Sequence, residues 1–487
     1  MTSMIGRVRP EHFAPDSLSG GAVVTLSVAV GTLFAPPVGL AGLFSYLGWK
    51  AYDRHITRWR REGFWGDPPA GFIGVDEAES LAATDGQLPS PAVGLGAAVL
   101  LGTAMNDSSG DGDKGNTGEV SVYWLPNDTR ATLNPNMGII GTMGTGKTQF
   151  VKSVIWQLSR MTEQNRAPLG QLIFDYKSDY TQDDFKQAVG ATSHKLYKLP
   201  YNPLSLFGDV PRLPVRAASA FTDTVARAFG LGEKQRLKLQ EAIAESYQLA
   251  GIHPDKPATW QRPAPTIQDV WEVFLAEEPE KDSLYAALSK LVSFQIFEDQ
   301  QDNLVSLHEL IERDGITIID LAGDDPSIQN LVVALTLDLF YAQMQRNGKP
   351  QVDGDFRQIS KMVIADEADN FMSQDFPSLK RILKEGREYG VGTILSTQQI
   401  THFRTGEDNY AAYMKSWVVH SVDEISPKDI RAIFNVTDKS AQDDLMESIR
   451  NLGKHMSYYV SSGKQVSRVK DKAYWEWGSK FVKAGEI

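Results

Sequence analysis

The sequence predicts an α/β fold built on a mostly parallel sheet, and three observations carry that expectation. Apolar runs of strand length at 137–140, 172–175, 316–320, 361–365, 393–396 and 417–420 alternate with segments of helical periodicity. A glycine-rich turn joins the first of these runs to a helix over 147–161. Between 205 and 314 strand signals stop, while helical spacing continues at 216–229, 233–249, 266–275 and 283–292, so an all-helical insertion splits the sheet domain. A long helix over 326–345 then leads back into strands.

Composition narrows the function classes. In 487 residues, 42% hydrophobic and 10% aromatic content suffices for a buried core. Cysteine is absent, which excludes a disulfide framework, a thiolate zinc site and a cysteine nucleophile, and fits a reducing cytosol. A net charge of -12 argues against a generally basic surface and confines any nucleic-acid contact to a local groove or channel.

The N-terminal unit, 1–62, carries no charge from Ser17 to Trp49 and is small and apolar over residues 20–48. Trp49, Lys50, Arg54, Arg58, Trp59, Arg60 and Arg61 follow, a basic aromatic cluster of the cytoplasmic-side kind. Pro36 and Pro37 interrupt the run. The expectation is an inner-membrane anchor holding a cytoplasmic motor domain, with a buried hairpin and a cleaved signal as the alternatives. Residues 63–128 read as lead-in strands, including 97–101 and 120–124, around a flexible loop at 108–118.

The first half of the core, 129–204, holds the octapeptide Gly141, Thr142, Met143, Gly144, Thr145, Gly146, Lys147, Thr148. Glycines let successive backbone N–H groups face an anion, and the helix N-terminus adds positive potential. Lys147 is placed to reach the β- and γ-phosphates of ATP, and the Thr148 hydroxyl to ligate Mg²⁺. In the second half, 315–470, the strand 361–365 ends in Asp366 and Glu367. Asp366 is expected to hold the metal and Glu367 to act as general base toward water. Asp175, at another strand end, reads either as an outer-shell metal partner or as a turn cap.

From 450 to 487 eight basic residues face three acids, interleaved with Tyr458, Tyr459, Tyr474, Trp475 and Trp477. This reads as a solvated hairpin and a basic aromatic tail, 471–487, or as a surface that grips phosphates and stacks bases.

Five features together carry a resemblance: the octapeptide, the strand ending Asp175-Tyr176-Lys177, the Asn202-Pro203-Leu204 turn before the helical insertion, Asp366-Glu367-Ala368, and the run 385–392 leading to Ser396-Thr397-Gln398. Over about 100–469 the chain resembles the HerA and FtsK superfamily of ring-forming motor ATPases. The resemblance implies a RecA-like P-loop NTPase core, Arg387 reaching a γ-phosphate across a subunit boundary, and Gln398 sensing that phosphate. It implies a homo-hexamer that translocates DNA, with His402 and Arg404 as DNA-contact candidates in the loop after Gln398. Residues 231–243 are similar to the motor part of the DndH/DptH proteins of phosphorothioation-linked restriction, a phage-defence setting. The hydrophobic N-terminus, single motor and helical insertion resemble conjugative coupling proteins of the TraD and TrwB kind, which implies the alternative of a membrane-anchored coupling ATPase that delivers DNA or protein cargo. No nuclease constellation is visible in the sequence, so cutting would fall to a separate component.

Overall fold

The structure is a computed structural model that describes residues 96–105, 120–373, 376–405 and 408–478. The anchor expected at 20–48 and the loop at 108–118 lie outside the described residues. Among the described residues no helix is long and apolar enough to cross a membrane.

Among the described residues fifteen strands form, and eleven of them join one sheet. They are β1 (Val99–Ala104), β2 (Ser121–Trp124), β3 (Asn136–Ile140), β4 (Gly170–Asp175), β5 (Ala191–Lys195), β6 (Ile316–Asp320), β7 (Val352–Asp353), β8 (Phe356–Arg357), β9 (Lys361–Ala365), β10 (Val391–Thr397), β11 (Arg404–Thr405), β12 (Asp408–Asn409), β13 (Ser416–Val419), β14 (Met456–Val460) and β15 (Val466–Asp471). The large sheet runs β2-β1-β15-β14-β13-β3-β10-β9-β4-β6-β5, while β7 pairs with β8 and β11 with β12. From β13 to β5 every pairing is parallel; from β13 through β14, β15 and β1 to β2 every pairing is antiparallel.

The parallel centre forms because β3, β4, β6, β9 and β10 are buried along their whole length, as their continuous apolar runs require. Their register puts the loops after β3, β4, β9 and β10 at one edge, where ligands of such sheets gather. The helices Leu213–Phe229, Glu233–Leu249, Ile267–Ala276, Ser283–Ser293 and Leu307–Asp314 lie between β5 and β6 in the chain, with no strand among them. The helix Pro326–Arg346 connects β6 onward, its N-terminus capped by Asp325 through Ser327 N.

One expectation fails. The segment read as a solvated hairpin is β14 and β15, built into the large sheet, with Tyr458 and Tyr459 buried. Four of the five residues of β14 are buried, so the strand belongs to the core. Of the expected tail, Trp475–Gly478 form a helix and the Trp477 ring stacks on Trp156 with centroids 4.8 Å apart, while 479–487 lie outside the described residues.

Candidate nucleotide site

Residues 141–146 of the octapeptide form a loop between β3 and the helix α1 (Lys147–Leu158), which Lys147 and Thr148 open. Gly146 sits at the helix N-terminus with φ of 109°, and a Cβ there would lie 2.5 Å from His455 Nδ1, so only glycine fits. Gly144 also has positive φ, 83°, with open space where a side chain would point. Lys147 is 7% exposed. Its Nζ donates to the carbonyls of Gly141 at 2.5 Å and Thr142 at 3.2 Å, curled into the loop. Burial lowers its pKa, against the opposing pull of Asp366 and Glu367. A desolvated ammonium that has only carbonyls as partners, at the mouth of a loop of helix N-terminal amides, is a receptor for anionic oxygens.

Across the sheet edge, Asp366 Oδ2 accepts from Thr148 Oγ1 at 3.0 Å and from the Tyr180 hydroxyl at 3.1 Å. Thr148 and Asp366 therefore stand as neighbours, a hydroxyl beside a carboxylate, the oxygen donor set that suits Mg²⁺. Glu367 adopts a left-handed backbone, φ 54°, unusual for a residue with a side chain. Its two carboxylate oxygens are both taken: Oε1 by the Lys177 ammonium and Oε2 by Gln398 Nε2 at 3.1 Å. Burial raises the Glu367 pKa, but the hydrogen bonds from Lys177 and Gln398 outweigh it, and the carboxyl sits below its ordinary value.

Lys177 and Tyr180 were not foreseen as site residues. They follow β4, which pairs with β9, and that pairing is what carries them to Asp366 and Glu367. Asp175 resolves as a turn cap: its carboxylate accepts from the backbone N–H groups of Lys177, Asp179 and Tyr180. Beneath the loop, His420 is fully buried, and a Cβ on Gly141 would lie 2.6 Å from its own Cβ. His420 Nδ1 lies 3.4 Å from Asp471 Oδ2. Burial, with Lys147 and His455 near, pushes His420 down to about 3, so it stands neutral; burial pushes Asp471 up to about 7. The sequence offered no signal for this floor, because β13, β14 and β15 bring its parts together only in the sheet.

Residues 125–340 match the family model of the central domain of the helicase HerA. The resemblance to the HerA and FtsK superfamily drawn from the motifs thus holds. Among solved structures, VirB4 of Thermoanaerobacter pseudethanolicus is 18% identical over 78% of this chain and 98% of its own, with a TM-score of 0.57, which shows the shared fold. The bacterial conjugative coupling protein TrwB is also similar, at 16% identity, 72% and 88% coverage and a TM-score of 0.45. No curated protein sequence matches the chain.

Lys147, Thr148, Asp366, Glu367 and Gln398 meet at one edge of the sheet, and Arg387 does not. Arg387 lies in the turn Gly386–Tyr389 just before β10, while Gln398 follows that strand. A seven-residue strand spans about 20 Å, well beyond the reach of one arginine side chain. Arg404 Nη2 pairs with Asp429 Oδ1 at 3.1 Å, and His402 Nδ1 lies 3.9 Å from Asp369 Oδ2. Arg130 is bound to Asp128 and Asp355, away from the loop.

Proposed function

We propose that this chain is a Mg²⁺-dependent ATPase whose identical subunits form a ring that drives DNA through a central channel. The observation that carries the reading is the convergence of Lys147, Thr148, Asp366, Glu367 and Gln398 on one sheet edge. Lys147 exchanges its two loop carbonyls for the β- and γ-phosphates when ATP enters the cradle. Thr148 and Asp366 hold the metal, which when bound offsets charge on the transferring phosphoryl group. Glu367 takes the proton of the attacking water, once Lys177 or Gln398 releases one of its oxygens. Gln398, on the strand end beside it, reports whether phosphate is present. Arg387 serves a neighbouring subunit's nucleotide, since its own is out of reach.

His402 and Arg404, in the loop beyond Gln398, are the DNA-facing candidates, Arg404 after leaving Asp429. Restriction-linked defence and cargo delivery at a membrane are two settings in which the same motor would serve, with a separate nuclease or channel as partner. The test is turnover with and without DNA. DNA-stimulated hydrolysis supports the reading, while slow turnover indifferent to DNA would leave a nucleotide switch instead.

Lys147→Ala is expected to weaken ATP binding about 100-fold or more, because it removes charge-assisted hydrogen bonds to two phosphates. Calorimetric titration checks this, and unchanged affinity would remove the loop from the site.

A further inference from the structure

We propose that the exposed indole of Trp475 is the platform on which the purine base of the bound nucleotide stacks, held there by His455. This rests on the octapeptide being the ATP cradle and adds where the nucleoside end goes. The γ-phosphate end of a bound triphosphate points to Glu367 and Gln398, which follow β9 and β10 on one side of β3. The ribose and base must then leave toward the other side of β3, where β13, β14 and β15 lie.

On that side the chain is tied to the cradle at two points. His455 N donates to the Thr145 carbonyl at 2.9 Å, and Tyr474 N to the Gln149 carbonyl, in the first turn of α1, at 3.1 Å. The His455 ring lies against Gly146, and the Trp475 ring meets it edge-on, centroids 6.1 Å apart at 79°. Tyr474 and Trp477 on either side are spoken for, by Phe185 and by Trp156. Trp475 alone of the three keeps a large open surface, 47% exposed. An apolar ring left in water beside a phosphate cradle gains by covering a base, whose π-face accepts any aromatic partner.

The experiment compares ATP with inorganic tripolyphosphate on the full chain, using Trp475→Ala and Trp475→Phe. The alanine variant is expected to weaken ATP about 10-fold and the phenylalanine variant far less, with tripolyphosphate unchanged in both. Equal loss for ATP and tripolyphosphate, or no loss for ATP, overturns the platform. So does a loss confined to single-stranded DNA affinity, which would give the indole to DNA. If neither ligand binds the unaltered chain, the cradle reading itself fails, an outcome distinct from these.

Discussion

Arg387→Ala is expected to lower kcat by about 1,000-fold or more while leaving the ATP affinity of each subunit near its starting value. The size of the effect follows from what an arginine does to a loose phosphoryl transfer: a fixed guanidinium offsets charge on the equatorial oxygens where no water is free to do so. The unchanged affinity follows from where the residue stands. The turn Gly386–Tyr389 precedes β10, and the cradle lies beyond its far end, so Arg387 touches no part of its own site. Its carbonyl accepts from Arg357 Nη1, which anchors the turn. A trans role makes a sharper forecast. Arg387→Ala subunits keep Glu367, and Glu367→Gln subunits keep Arg387, so a ring mixed from the two inactive variants regains turnover at those sites where one stands beside the other. Mixed rings as inactive as their parents would put the arginine out of the reaction.

The parts of this site that sequence reading found are those written in consecutive residues. The cradle is one octapeptide at a strand-to-helix junction, and Asp366 and Glu367 close a strand with four consecutive apolar residues, so local chemistry identified both. The parts it missed are set by sheet order. Lys177 reaches Glu367 across 190 positions because β4 pairs with β9, and no periodicity announces that pairing. His420 follows β13, His455 precedes β14 and Asp471 ends β15, and the polar composition of the β14-β15 hairpin resembles a solvated ribbon when the neighbouring strand is unknown. β5 escaped for a related reason: as an edge strand with no buried residue it has no apolar run. The helices Pro427–Phe434 and Lys439–Arg450 went unread because of their polar composition, although a Ser426 capping box with Asp429 and an Asp438 cap start them.

Glu367→Gln should bind ATP and hold it, with kcat reduced by about 100-fold to 10,000-fold, the range that a positioned general base contributes. The substitution keeps the shape of the side chain and its hydrogen bond with Gln398. It removes the negative charge that pairs with Lys177 and the basic oxygen that would accept a proton from water. Nothing in the cradle is disturbed, since Lys147 is held by loop carbonyls and Thr148 by Asp366. In the structure the carboxylate is clamped from both sides and its pKa lies below the ordinary value, which makes it a poor base until one partner lets go. Movement of Gln398 on sensing phosphate, or of Lys177, would free an oxygen and raise its basicity together, so hydrolysis is tied to the state of the strand ends around it. A Glu367→Gln chain is therefore expected to retain nucleotide through gel filtration, with single-turnover hydrolysis as the slow step. Rapid turnover by that variant would move the base elsewhere, and Asp366, which accepts from Thr148 and Tyr180, is the carboxylate that is hydrogen-bonded to the cradle among the described residues.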